Sequence, residues 1–139
     1  DGRLIGDQGE RYGAILADVP CSGIGALRRR PEVRWRRTTA DLRALIQLQR
    51  ELVDAALEVI EVGGVFGYAT CSPHLAETRI QVKDLLRSHP NYEQIDIRQV
   101  VSEQTREKLG DSIVDGSMAL WTHKQGTDAM FLALFRRIS

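Results

Sequence analysis

Residues 14–23, Ala-Ile-Leu-Ala-Asp-Val-Pro-Cys-Ser-Gly, form an apolar run that leads into a turn containing Cys21. Residues 65–72, Val-Phe-Gly-Tyr-Ala-Thr-Cys-Ser, repeat this arrangement and lead into Cys71. Short apolar runs that end at turn residues are typical of buried strands. Between the two runs, residues 41–60 carry apolar side chains at helical spacing, so one helix face is expected to be buried. The sequence therefore predicts a strand, a crossover helix and a second strand.

A crossover helix makes its two flanking strands parallel. Parallel strands end at the same edge of a sheet, and in open α/β sheets ligands bind at that edge. Because Cys21 and Cys71 each follow one of the strands, we expect the two thiols to meet at one site. Two reduced structural cysteines are the alternative interpretation, which is common in proteins of the cytosol. The Pro and Ser neighbours of both cysteines favour the two-thiol active site.

The composition indicates one small globular domain of 139 residues, with 42% hydrophobic and 27% charged residues. No apolar run is long enough to span a membrane, and no signal peptide is visible, so a cytoplasmic location is expected. Two cysteines are too few for a disulfide scaffold, and the three histidines lack the spacing of metal ligands. The chain begins with Asp-Gly-Arg rather than Met, which suggests a piece of a longer protein.

Charge is unevenly distributed, although the formal net charge is zero. Residues 28–37 hold six arginines and one glutamate, together with Trp35. A basic patch beside a site fits a groove for a phosphate backbone, and an aromatic ring among arginines can stack on a base. The alternative is a solvated loop whose tryptophan packs against the domain. The expected RNA contacts are Arg28, Arg29, Arg30, Arg34, Trp35 and Arg36, with Arg37 completing the cluster.

The remaining pattern predicts a sheet that is parallel at first and closes with an antiparallel hairpin. Thr38 and Asp41 have the spacing of a capping box, which marks the start of the crossover helix. The predicted order is strand 12–18, helix 41–60 ended by Gly63-Gly64, strand 65–70, helix 75–88, strand 92–101, an irregular segment 102–128 and strand 129–135.

The predicted positions of the thiols favour reactivity. Cys71 is expected at a strand-to-helix turn, where the helix N-terminus would stabilise a thiolate. Cys21 precedes a glycine turn whose backbone N–H groups can act similarly. Asp18, at the end of the first strand, can accept hydrogen bonds from the amine of a cofactor or a base, although a turn residue is the simpler interpretation.

Several motifs in one order make the chain resemble the Sun-type (RsmB-like) RNA cytosine-5 methyltransferases. The resemblance covers nearly the whole chain, and ordered motifs at compatible spacing are more specific than a Pro-Cys pair alone. The motifs are Asp18-Val-Pro-Cys-Ser-Gly, Arg29-Arg-Pro31 followed by Trp35, Gly63-Gly64, Tyr68-Ala-Thr-Cys71-Ser and Gly126-Thr-Asp128.

The resemblance implies an α/β fold, the second half of a Rossmann-like sheet, and transfer of a methyl group from S-adenosylmethionine to C5 of cytosine in RNA. It implies that Cys71 is the nucleophile that attacks C6, and that Cys21 assists breakdown of the covalent adduct. Asp1 matches a position that contacts the adenine end of the cofactor, and Asp18 matches one at the pocket for the cofactor and the target base. The RNA would be ribosomal or transfer RNA.

The family's glycine-rich cofactor loop and N-terminal RNA-binding region have no counterpart in these residues. We therefore expect residues 1–139 to be the C-terminal part of a truncated catalytic domain, inactive in isolation and weak in cofactor binding. Two other functions stay open at this point. One is a non-catalytic RNA-binding or scaffold domain that retains the fold, and the other is a thiol enzyme of a different class that does not need S-adenosylmethionine.

Overall fold

A computed structural model describes residues 1–139 and shows a six-stranded mixed sheet. Along the sheet the strands lie in the order β1-β2-β6-β5-β4, and β3 also pairs with β6. The strands are β1 (Tyr12–Asp18), β2 (Ile60–Thr70), β3 (Tyr92–Ile95), β4 (Ile113–Val114), β5 (Ser117–Leu120) and β6 (Met130–Arg137).

Five α-helices connect or flank the strands, and two of them are long enough to pack against the sheet. The helices are α1 (Val33–Arg36), α2 (Thr39–Glu58), α3 (Arg79–Ser88), α4 (Glu103–Leu109) and α5 (Thr122–Gln125). Short 3₁₀ helices span Gly2–Gln8, Ile24–Ala26, Leu75–Glu77, Ile97–Gln99 and Gly110–Ser112.

The predicted crossover is confirmed. β1 and β2 pair in parallel, and α2 connects them. The Thr38 side chain accepts from the Asp41 backbone N–H, while the Asp41 carboxylate accepts from the Thr38 backbone N–H, which completes the capping box. Val53 and Leu57 of α2 are buried against the sheet, as the helical spacing indicates.

The prediction that Gly63-Gly64 ends the helix is wrong. α2 ends at Glu58, and both glycines lie inside β2, which begins at Ile60. Gly63 has φ of 84°, and the register against β1 shifts nearby. A Cβ on Gly64 would lie 2.9 Å from the Gly13 carbonyl oxygen. The glycines therefore serve a bulge at which the two strands approach closely.

The predicted antiparallel strands at the end of the chain are confirmed, but they form more than a single hairpin. β6 runs antiparallel to β2, β3 and β5. The segment 102–128, predicted to be irregular, contains α4, α5 and the hairpin of β4 and β5. Asp115 and Gly116, both with positive φ, form the two-residue turn of that hairpin. Strands of two and four residues are too short to produce a clear alternation.

The core lies between the sheet and the two long helices α2 and α3. Phe66 and Phe135 are fully buried on the neighbouring strands β2 and β6, with ring centroids 6.1 Å apart. Tyr68 and Phe131 meet edge to face at 6.4 Å on the same two strands. The β2–β6 pair is therefore the packed centre of the sheet, and β2 ends immediately before Cys71.

Gly25 links three loops at the carboxyl edge of the parallel strands. Its N–H donates to the Cys71 carbonyl at 3.0 Å, and its carbonyl accepts from the Ala129 N–H at 2.9 Å. A Cβ at Gly25 would lie 2.5 Å from the Cys71 oxygen and closer still to the Ala129 oxygen. The contact joins the turn after β1 to the segments after β2 and before β6.

We predict that Gly25→Ala destabilises the chain by about 2 kcal/mol or more, because two backbone carbonyls would have to move. Urea unfolding followed by circular dichroism measures the change. Gly6→Ala is the matched control, since a Cβ there would meet only Val59 at 3.9 Å. The close packing of the three loops is contradicted if both variants unfold at the same urea concentration.

Candidate active site

The structure brings the two thiols together. Cys21 follows β1 and Cys71 follows β2, and their Sγ atoms are 3.2 Å apart. Both cysteines are free and partly buried. The predicted meeting of the thiols is therefore confirmed.

The loop that carries Cys21 begins where the parallel ladder ends. The Val19 N–H donates to the Ala69 carbonyl at 3.0 Å, and Pro20 follows without a backbone N–H. Gly23 then takes a left-handed conformation with φ of 74°, which turns the chain back toward the sheet. Cys21 lies between these two turn residues.

Burial raises the pKa of the Cys71 thiol to about 11, with the adjacent Cys21 thiol adding to the effect. The expectation of a stabilised thiolate at a helix N-terminus is wrong for Cys71. The turn after β2 leads first into the 3₁₀ helix Leu75–Glu77, and α3 begins only at Arg79. A helix dipole acts over its first turn, so α3 begins too far along the chain for this effect.

A buried carboxylate, which the sequence analysis missed, connects the two cysteine loops. Glu77 is fully buried and accepts from the Ser22 N–H at 2.8 Å, the Ser22 hydroxyl at 2.5 Å and the Ser72 hydroxyl at 2.6 Å. Its fourth donor is the Gln49 amide at 3.1 Å. The sequence signal for it was Gln49, a polar residue that interrupts the apolar face of α2 and that the structure buries fully.

A family model described as 16S rRNA methyltransferase RsmB/F matches residues 2–136. The chain belongs to this family. A Mycobacterium tuberculosis protein, named only as a methyltransferase, is 50% identical over the whole chain. The ribosomal RNA small subunit methyltransferase B of Vibrio cholerae is 45% identical over 60% of the chain. The chain spans 29% and 19% of the length of these two relatives.

Solved structures agree with the RsmB/F assignment. NSun6 from Pyrococcus horikoshii, crystallised with the S-adenosylmethionine analogue SFG, superposes with a TM-score of 0.80 at 26% identity. This chain is covered completely, and 33% of that chain is matched. The protein PH0851 gives a TM-score of 0.78 at 28% identity over 91% of this chain and 27% of its own. The fold is thus the mixed sheet of Rossmann-like methyltransferases.

In this RsmB/F family member, Asp18 and Asp1 occupy different surroundings. Asp18 is exposed at the end of β1, opposite Ala69 of β2, so its carboxylate lies at the same sheet edge as the thiols. The carboxylate of Asp1 caps the first 3₁₀ helix and pairs with the Arg3 guanidinium at 2.6 Å. Asp18 forms no ion pair, whereas Asp1 already has a cationic partner.

The arginines of the cluster, residues 28–37, are all exposed, but only some of them have partners in the rest of the chain. Arg28 donates to the Gly126 carbonyl at 2.7 Å, and Arg29 forms an ion pair with Asp128. The Arg29 guanidinium holds the pKa of the Asp128 carboxyl below its usual value. These two arginines attach the cluster to the segment before β6. Arg30, Arg34, Arg36 and Arg37 project into solvent without an ion pair.

Trp35 does not pack its loop against the domain. Its side chain is 83% exposed, and the Arg34 guanidinium lies 5.5 Å from the ring centroid. The packing interpretation for Trp35 is therefore wrong, and the ring is free to stack.

An apolar cavity of about 230 Å³ opens beside the Cys71 loop. Ser72 and Pro73 of that loop line it, and Trp121 and Phe131 line its other side. A larger polar cavity of about 400 Å³ lies between α2 and α3, away from the sulfurs. No group of three or more His, Cys, Asp or Glu side chains could hold a metal ion, and no helix has the length and apolar character of a membrane span.

We predict that Cys21→Ala lowers the pKa of Cys71 from about 11 toward the ordinary thiol value, because the neighbouring sulfur that favours the protonated form is gone. Burial remains and keeps the pKa above that value. The rate of alkylation by iodoacetamide rises as the thiol ionises, so its pH profile at Cys71, followed by peptide mass spectrometry, reports the pKa. A profile unchanged by the substitution would show that the two thiols do not interact.

Proposed function

We propose that the chain carries the reactive thiols of an RNA cytosine-5 methyltransferase. The observation that supports this most directly is the 3.2 Å separation of Cys21 Sγ and Cys71 Sγ at the carboxyl ends of two parallel strands. Membership of the RsmB/F family supplies the reaction class, methyl transfer to ribosomal RNA. A ribosomal RNA substrate would place the protein in the cytoplasm.

The chemistry requires a nucleophile on the enzyme, because C5 of cytosine does not accept a methyl group unaided. In the proposed reaction the Cys71 thiolate adds to C6 of the base, and electron density moves to C5. The target base must be unpaired or flipped out of its stack to reach a partly buried thiol. Because the pKa of Cys71 is raised, its thiol proton must pass to a base as the sulfur attacks C6.

Cys21 is proposed to act in the release step. After transfer, a base removes the C5 proton and the Cys71 sulfur leaves C6, which restores the aromatic ring. Cys21 Sγ is in hydrogen-bond contact with Cys71 Sγ and can exchange a proton with it. Asp18 at the same edge is proposed to accept hydrogen bonds from an amine of the base or the cofactor.

S-adenosylmethionine is the proposed methyl donor and supplies an electrophilic methyl group. Asp18 is proposed to contact it, and Asp1 is proposed to do so while keeping its ion pair with Arg3. Neither aspartate lines the cavities of about 400, 230 and 140 Å³ found in the chain. We therefore propose that residues 1–139 are the C-terminal part of a catalytic domain, and that the rest of the cofactor site lies in other parts of a longer protein.

The RNA is proposed to bind across the arginine cluster. Arg28 and Arg29 fasten this loop, and Arg30, Arg34 and Arg36 are free to contact phosphates. Trp35 offers an exposed ring for a base. A scaffold that only binds RNA would use the same surface, but it would not need two thiols in contact.

We predict opposite effects of the two cysteine substitutions on the covalent RNA adduct of the full-length protein. Cys71→Ser removes the nucleophile and abolishes the adduct, whereas Cys21→Ala blocks release, so that the adduct accumulates. Denaturing gel electrophoresis with radiolabelled RNA measures both. The reverse pattern would exchange the proposed roles, and full methyl transfer by both variants would exclude thiol catalysis.

For the arginine cluster, we predict that Arg30→Gln and Arg36→Gln each weaken RNA binding by the full-length protein and lower its salt dependence. Removing one phosphate interaction with single-stranded RNA reduces the slope of log K against log salt by about 0.7. Trp35→Ala should weaken binding with little change in that slope, because stacking releases no counterions. Fluorescence anisotropy at several salt concentrations provides the slopes.

Arg87→Gln is the control, because Arg87 is an exposed arginine on α3, outside the cluster. It should leave both affinity and slope unchanged. Equal reductions of the slope in the Arg87, Arg30 and Arg36 variants would mean that RNA binding depends on the total charge of the protein and not on the arginine cluster.

A further inference from the structure

Glu77 is a carboxylate at a fully buried position, where an apolar side chain would be the ordinary choice. Its exposure is 0%, and no cation pairs with it. Burying a charge is costly unless hydrogen bonds replace the lost water. Here four donors, all from side chains or backbone of the two cysteine loops and α2, meet its two oxygens. An ionised carboxylate, which only accepts, satisfies all four donors.

Three of the four donors are placed next to the cysteines. Ser22 follows Cys21, and both its N–H and its hydroxyl donate to Glu77. Ser72 follows Cys71, and its hydroxyl donates to the same Oε2 atom as the Ser22 hydroxyl. The two serine hydroxyls are 3.3 Å apart, close to the 3.2 Å between the two sulfurs. One carboxylate therefore binds both cysteine loops at the residue directly after each thiol.

Glu77 is itself held firmly. The Tyr68 hydroxyl donates to the Glu77 backbone carbonyl at 2.7 Å. The Gln49 amide donates to the Glu77 carboxylate and to the Pro20 carbonyl at 2.9 Å, which fixes the residue before Cys21. Gln81 donates to Gln49 Oε1 at 3.3 Å and orients that amide. These contacts anchor the carboxylate to α2, α3 and the fully packed strand β2.

We propose that Glu77 is a positioning residue that holds the Cys21 and Cys71 loops together and keeps the two sulfurs in contact. This proposal rests on the proposed function for its catalytic consequence, but the sulfur separation can be measured without catalysis. Beyond the end of the strand ladder, the other direct links between the loops are the Gly25 backbone hydrogen bond, the weak contact of the two serine hydroxyls and the sulfur contact itself. Preorganisation of this kind raises the effective concentration of one group at the other.

The test uses a trivalent arsenical, phenylarsine oxide, which bridges two neighbouring thiols and releases one water molecule. Its affinity is measured for the full-length protein in which every cysteine other than Cys21 and Cys71 is replaced by serine. The Ser22→Ala/Ser72→Ala double variant removes both hydroxyl donors and keeps Glu77, so it is the variant expected to fold. We expect its affinity for the arsenical to fall at least about tenfold, because hydrogen bonds to a charged group are removed.

Two substitutions of Glu77 separate positioning from simple packing. Glu77→Ala removes the shared acceptor of four buried donors and should lower the affinity further, if circular dichroism shows it folded. Glu77→Gln has the same shape, and its amide can meet the serine oxygens while its carbonyl meets the Ser22 N–H. We expect Glu77→Gln to bind the arsenical within about threefold of the unaltered protein.

Ser117→Ala is the matched control. Ser117 is a buried serine of β5 that accepts from Gln94 at 3.0 Å, and it has no hydrogen bond to the cysteine loops. Its substitution should change stability but neither arsenical affinity nor methyl transfer. Unchanged arsenical affinity in the Ser22→Ala/Ser72→Ala variant, or an equal decrease in Ser117→Ala, overturns the positioning role.

Methyl-transfer kinetics give the second readout. We expect kcat of the Ser22→Ala/Ser72→Ala variant to fall by about the same factor as its affinity for the arsenical. The KM values for RNA and S-adenosylmethionine should stay the same, because a fully buried carboxylate is out of reach of either substrate. A rise in KM at constant kcat would overturn the proposal. If the unaltered protein transfers no methyl group, the proposed function fails, and the arsenical comparison still decides whether Glu77 holds the thiols together.

Discussion

The parallel pairing of β1 with β2 is the constraint on which the site depends. Its last paired residues, Asp18 and Ala69, fix where both strands end, and Cys21 and Cys71 follow within three residues of those ends. A shift of register would separate the sulfurs by the rise of a strand, about 3.3 Å for each residue. Backbone hydrogen bonds therefore set where each cysteine loop begins.

Backbone pairing ends before the cysteines, so other contacts must hold the loops. Gly25 does this with two backbone hydrogen bonds, and its missing side chain permits the approach. Glu77 does it with a buried carboxylate that accepts four hydrogen bonds. A buried carboxylate with four donors is an arrangement that fixes geometry, and it lies beside the pair of thiols on which the proposed chemistry depends.

In the arginine cluster, some side chains are anchored to the rest of the chain and others are free. Arg28 and Arg29 bind the segment before β6, and so a loop rich in positive charge is fixed to the sheet rather than left free. The neighbouring arginines and Trp35 remain exposed. A surface with some cations anchored and others free can bind a polyanion without losing its own position, which suits the proposed delivery of one base to a thiol.

The amino-acid sequence by itself determined the crossover, the capping box at Thr38, the antiparallel close and the meeting of Cys21 with Cys71. These depend on periodicity, turn residues and chain topology, all of which are local or follow from strand direction. Only the tertiary structure decided the roles of Glu77 and Gln49, the raised pKa of Cys71 and the exposure of Trp35. Each of these depends on which distant atoms surround a side chain, and burial and hydrogen-bond partners across 28 to 55 residues of sequence leave no periodic signal.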